Sequence, residues 1–257
     1  MALCALVTSA ASAQTDYYNT DSGHPLAIED AYAIELFALE LRPASLSLSR
    51  HTGGVYALEV ESEVSYGVLP RTQVEGKLAW RRAERGSTYE SGISGAVIGL
   101  LHNLNAETLT LPALALSGEL LLPGGSMGAD ERYLTLKALA TRSFPLARIH
   151  LSVGYAFGDS PTRIVLAHGV QAEVPRWSAG VAIDKALALR SVLLSAEFVA
   201  ERPTLAAHPT ILELAGGIRW QWTPRIVADV GIVRHLTGDD RELALRLGGS
   251  YALGLHF

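Results

Sequence analysis

Cysteine is almost missing from this chain: Cys4 is the one such residue among 257. An internal disulfide is therefore excluded, and a chain trimmed of its first residues would carry no thiol, which suits passage through an oxidising compartment. Long apolar runs are missing too. A membrane-crossing helix needs about 20 consecutive apolar residues, and the most apolar stretch, 93–122, is broken by His102, Asn103, Asn105, Glu107 and Glu119. Positive charge is not in excess. The 21 Lys and Arg face 26 Asp and Glu, a net charge of −5, so nucleic acid has no electrostatic footprint and is not expected as a partner. The eight histidines include no pair spaced by two or four residues, so no metal site is expected, and no other cofactor.

What is present is hydrophobicity spread thinly and regularly. Apolar residues make up 49% of the chain against 18% charged, and the mean hydropathy is +0.21. They alternate with polar ones rather than clustering, which a β-barrel in lipid requires and a helical bundle does not. In 242–257, Leu243, Leu245, Leu247, Tyr251, Leu253, Leu255 and Phe257 share one side of a period of two. Glu242, Ala244, Arg246, Gly248, Ser250 and His256 take the other. Such a run predicts a strand with one lipid-facing face, and a final aromatic fits the closing strand of an outer-membrane barrel, its ring in the lipid girdle.

The same pattern recurs along the chain. It predicts twelve antiparallel strands over 36–49, 54–68, 72–83, 92–104, 107–122, 132–144, 147–158, 175–185, 190–202, 210–222, 225–235 and 241–257. The fold class is thus all-β, a transmembrane up-and-down β-barrel of about 12 strands. The first strand is irregular, because Pro43 interrupts it and the alternation changes phase there, as at a bulge. Connections alternate between tight (69–71, 103–106, 144–146, 223–225) and long (83–91, 123–131, 158–174, 202–209), matching short periplasmic turns and longer extracellular loops. Residues 1–13 end in Ala11-Ser12-Ala13, a cleavage-site pattern, and are expected to be a signal peptide lacking its usual basic start. Residues 14–30 are expected to be a periplasmic extension and 31–257 the barrel.

Aromatic residues fall near strand ends. Tyr66, Phe144, Trp220, Trp222 and Phe257 belong to the short-turn side, and Trp80, Tyr155, Phe157 and Trp177 to the long-loop side, with Tyr251 a further interface aromatic. Two belts at membrane–water boundaries account for both groups, with outer-membrane lipid as the partner. The residues expected to line the interior are Glu59, Glu61, Glu63, Glu75, Lys77, Glu119, Lys137, Arg148, His150, Glu197, Glu213, Arg219, Asp229 and Arg246. As a pore lining they would orient water and select solutes; as cross-lumen ion pairs they would fill a narrow barrel. Lys77 and Arg81 stand where they could neutralise Glu59, Glu61 and Glu63. His150 with Ser152, and His235 with Asp239 and Asp240, are weak imitations of catalytic groups. No catalytic residue is expected, and the chain is read as a non-enzyme.

Several segments carry a family resemblance: 66–75 (Y-G-V-L-P-R-T-Q-V-E), 109–125 (L-T-L-P-A-L-A-L-S-G-E-L-L-L-P-G-G), 134–137, 154–158 (G-Y-A-F-G), 200–203 and 219–225 (R-W-Q-W-T-P-R). They resemble the outer-membrane transporters grouped as the "MetA-pathway of phenol degradation" family. The resemblance implies uptake of aromatic compounds and contributes no catalytic residues. The expected function is a channel in the bacterial outer membrane for passive passage of small solutes, inserted by the barrel-assembly machinery through its C-terminal strand. The alternative is a structural or adhesive barrel with a salt-bridged, non-conducting lumen.

Overall fold

The computed structural model describes residues 25–129, 131–158, 164–166, 170–172, 175–187, 191–203, 209–238 and 241–254. The strands are β1 (Ala38–His51), β2 (Val55–Leu69), β3 (Thr72–Arg85), β4 (Thr88–Asn105), β5 (Ala113–Leu122), β6 (Tyr133–Ser143), β7 (Arg148–Phe157), β8 (Ile164–Leu166), β9 (Val170–Ala172), β10 (Pro175–Ala186), β11 (Val192–Pro203), β12 (Ile211–Thr223), β13 (Ile226–His235) and β14 (Leu243–Gly254). All but β8 and β9 join one closed barrel, each strand antiparallel to its neighbours, with β14 returning to β1. The twelve barrel strands are those that the alternation predicts. β8 and β9 form a small separate hairpin inside the 158–174 connection, where the sequence shows no alternation long enough to betray it.

Period-two patterning sorts the two faces. Leu48, Leu78, Ile98, Leu116, Val153 and Ile232 are all exposed on the outside, while charged and small residues between them point inward and are buried. An apolar exterior this extensive is unfavourable in water and natural in lipid. The barrel also removes every strand edge, so the backbone hydrogen bonds of the sheet are satisfied without solvent.

Pro43 acts as its position suggests. Against β14 the pairing passes from Leu41↔Tyr251 to Leu46↔Leu247, and against β2 from Arg42↔Glu63 to Ser45↔Glu61, so β1 carries one extra residue in each ladder. Before this bulge Arg42 is inward; after it Ser45 and Ser49 are. Ser62 Oγ donates to the carbonyl of Pro43 at 2.8 Å, which steadies the bulged backbone. Two connections differ from expectation. The 83–91 loop is a tight hairpin, since β3 runs to Arg85 and β4 starts at Thr88, with Gly86 at φ +61° supplying the left-handed turn. On the opposite end, β5 starts at Ala113 rather than 107, because Asn105 ties down the loop by hydrogen bonds with the carbonyl of Pro112 and the amide of Leu114.

We call the end at which β1 begins and β14 finishes proximal, and the opposite end distal. Phe257, residues 1–24 (the expected signal peptide and most of the expected extension), Asp239 and Asp240 lie outside the described residues.

Candidate functional site: the barrel lumen

The fourteen charged residues named from the sequence occupy the inner face, buried or half-buried, in rows that alternate with the outward apolar ones. Most are engaged along the wall. Glu119 bridges Lys137 at 2.7 Å and Lys77 at 3.5 Å, and Lys77 also reaches Glu75 at 3.5 Å. Arg81 Nε donates to Glu59 at 2.6 Å. Glu63 stands opposite Lys77 in the β2–β3 register, while Glu61 faces Ala79. Arg219 and Asp229 are direct partners in the β12–β13 register, and Arg246 lies between Ser47 of β1 and Gly231 of β13. Glu213 meets His235 at 3.2 Å.

His150 does not pair with Ser152. Its Nδ1 meets Thr141 Oγ1 at 3.0 Å and its Nε2 meets Asp184 Oδ2 at 2.8 Å, while Arg148 clamps the same carboxylate at 3.0 and 2.7 Å. The hydroxyl–imidazole–carboxylate order imitates a hydrolytic triad. Thr141, His150 and Asp184 are nevertheless buried to within 2% exposure, and the hydroxyl already accepts the Ala31 amide at 3.0 Å. The group is a bracket for another piece of chain.

That piece is the segment preceding β1, whose residues 25–30 the sequence reading assigns to a periplasmic extension; they lie inside the barrel instead, because their apolar side chains and backbone amides find partners on the inner wall. Residues 25–34 run inside the barrel as a strap. Pro25 packs where Gly217 and Gly231 leave room, and Ile28 where Gly180 does. Leu26 and Ile28 join a buried cluster with Ala182, Val199, Ala215, Val233 and Ala244. Ala31 joins a second cluster with Leu101, Ala113, Ala115 and Leu139. Polar bonds fix the backbone between these anchors. Ala27 and Ile28 donate their amides to the Glu197 carboxylate at 2.7 and 2.8 Å. Asn103 Nδ2 donates to the Ala31 carbonyl at 2.6 Å, and the Ile34 amide donates to Gln73 Oε1 at 2.9 Å. The strap thus enters at the proximal end, beside the β2–β3 turn, and climbs to the middle of β11.

At the proximal rim the Tyr32 hydroxyl donates to Glu107 at 3.2 Å and the Ser143 amide at 2.7 Å. Slight burial raises the Glu107 carboxyl, but these bonds and the Arg142 guanidinium outweigh it and hold the group below the ordinary glutamate range.

Above the strap, toward the distal end, the lumen keeps a cavity of ≈ 210 Å³. Ala27, Ile28 and Glu29 of the strap form one side; Glu119, Lys137 and Glu201 are its charged wall residues. The outer face carries the aromatics. Trp220 and Trp222 stack at 6.1 Å between centroids near the proximal end. Tyr155 and Phe157 meet edge to face at 4.8 Å distally, with Trp177 opposite Tyr155 in the β7–β10 register. Trp80 and Tyr251 are also exposed, and Tyr66 is half-buried. Tyr56 and Tyr89, not singled out from the sequence, are exposed at the distal end, with Arg50 and Arg82 respectively over their rings at 6.0 and 4.5 Å.

No family model matches the chain, and no curated protein matches it either. Solved structures do. The chain is similar to an outer-membrane channel of Pseudomonas putida F1, at 11% identity and a TM-score of 0.59, over 91% of this chain and 99% of that one. It is similar to the NanC porin, at 10% identity and a TM-score of 0.56, over 81% and 98%. It is also similar to the translocator domain of the autotransporter NalP from Neisseria meningitidis, at 13% and 0.52, over 84% and 88%. The shared feature is the fold, a closed barrel of the outer-membrane type.

Proposed function

We propose that this chain is a channel of the Gram-negative outer membrane that lets small solutes pass passively, with its proximal end in the periplasm. One observation carries the reading. The closed barrel is apolar where it meets its surroundings and charged within, the inversion expected of a protein solvated by lipid outside and water inside. The barrel's likeness to porin folds supports it. The segments that resemble the phenol-degradation family extend the proposal to small aromatic solutes, and the long distal loops would face the outside of the cell. Insertion would proceed through β14 and the barrel-assembly machinery.

Recordings from the purified full-length chain in planar lipid bilayers test the proposal. Discrete current steps are expected, with a reversal potential favouring cations because inward carboxylates outnumber cations around the cavity. A second reading has its own support: the strap fills the proximal half of the lumen, and many wall charges are paired. On that reading the barrel is a structural or adhesive element, and no current appears at any salt concentration or voltage.

A further inference from the structure

The cavity above the strap combines two chemistries. Ile28 and Val199 give it an apolar side, while Glu29, Glu119, Glu201 and Lys137 give it charge. Lys137 is bound to Glu119 at 2.7 Å. Glu29 and Glu201 have no ion pair among the described residues, although Lys137 and Lys77 attract Glu29 and His235 and Arg246 attract Glu201 from farther off, so the lining itself holds three carboxyl groups against one lysine. Glu29 is only 5% exposed, and its Oε2 has no hydrogen-bond partner among the described residues. A buried carboxylate oxygen without a donor is costly unless something supplies one. Small wall residues, Ser152, Gly154 and Ser178, also line the cavity and leave it open.

We propose that this cavity is a binding subsite for a small organic cation: an ammonium group seated between Glu29 and Glu201, with a short apolar body against Ile28 and Val199. Cation recognition needs donors aimed at carboxylates, and an ammonium brings three. The apolar side disfavours a bare metal ion, which gains nothing from Ile28 and Val199 and keeps its water. Because Glu29 belongs to the strap and Glu201 to β11, the site exists only while the strap is in place. The proposal rests on the lumen being a solute path and names the class of solute that pauses there.

The test is isothermal titration calorimetry on the full-length, detergent-solubilised barrel with three probes of one shape: benzylammonium, benzoate and benzyl alcohol. Saturable binding of benzylammonium is expected, with the other two at least tenfold weaker. Glu29→Gln combined with Glu201→Gln should weaken benzylammonium at least tenfold and erase the discrimination. Ser152→Phe, which fills the cavity without changing charge, should abolish binding of all three. Equal binding of the three probes, no binding of benzylammonium by the unaltered chain, or undiminished binding by the double variant overturns the site. Calorimetry reads equilibrium, so it is independent of conduction. A barrel that binds benzylammonium but passes no current overturns the passive-channel reading and leaves the site standing; one that conducts but binds the probes alike does the reverse.

Discussion

Glu197 shows how a single inward side chain can differ from its reading in sequence. Its place on the inner face follows from alternation alone, where it resembles any other inward charge. Its carboxylate is in fact committed to two backbone amides of the strap. Hydrogen bonds to a charged acceptor contribute about 1.5–3 kcal/mol each. Glu197→Ala should therefore free the strap, whereas Glu197→Gln, which keeps one acceptor, should do so less. With Cys4 replaced by Ser and Ala31→Cys introduced at a fully buried position, maleimide labelling should be slow in the parent. Glu197→Ala should speed it about tenfold or more, since each 1.4 kcal/mol is a factor of ten. Labelling unchanged by the substitution would show that Glu197 does not hold the strap. Farther down the β2 wall, Glu61→Gln with Glu63→Gln should lower cation preference, read as a smaller reversal potential under a salt gradient; unaltered selectivity would remove those two from the path.

At the scale of elements, barrel strands were legible and the strap was not, for a physical reason. A strand in a barrel must alternate because its two faces meet different solvents, so β12, with Leu214, Ile218 and Trp220 outward and Glu213, Ala215 and Arg219 inward, announces itself. The strap, P-L-A-I-E-D-A-Y-A-I, is surrounded by barrel wall and has no period to show. Its bonds reach partners 39 to 170 residues away. The available signal was indirect: glycines at inward positions 180, 217 and 231, where a Cβ would collide with Ile28 or Pro25. Gly180→Val should displace Ile28 and raise the Ala31→Cys labelling rate without unfolding the barrel; a rate equal to the parent's would mean the cradle is not needed. The bulge at Pro43 was legible because a proline and a phase change coincide. Deleting Ala44 removes the extra residue and leaves β1 in unbroken alternation, with Arg42 still inward opposite Glu63 and Ser45 opposite Glu61. The deleted chain should still assemble, seen as the faster-migrating unboiled form on gels, and loss of that form would contradict the register described for β1.

For the whole molecule, two nested solutions coexist. The outer one is a barrel whose apolar surface and two aromatic groups suit a bilayer, and whose closure through β1 and β14 leaves no edge. The inner one is a polar wall whose charges are partly spent on each other and partly on a strap that narrows the lumen from the proximal end. Alternation specifies the first completely. The second depends on long-range contacts between side chains and an aperiodic segment, which local pattern does not encode. On the proposed function the lumen is a path that the strap restricts but does not seal. Bilayer conductance of the full-length chain, compared with the chain lacking residues 25–34, tests this most directly. Cation-preferring steps are predicted for the full chain, several-fold larger once the strap is removed. Silence from both proteins, or equal conductance from both, would contradict it.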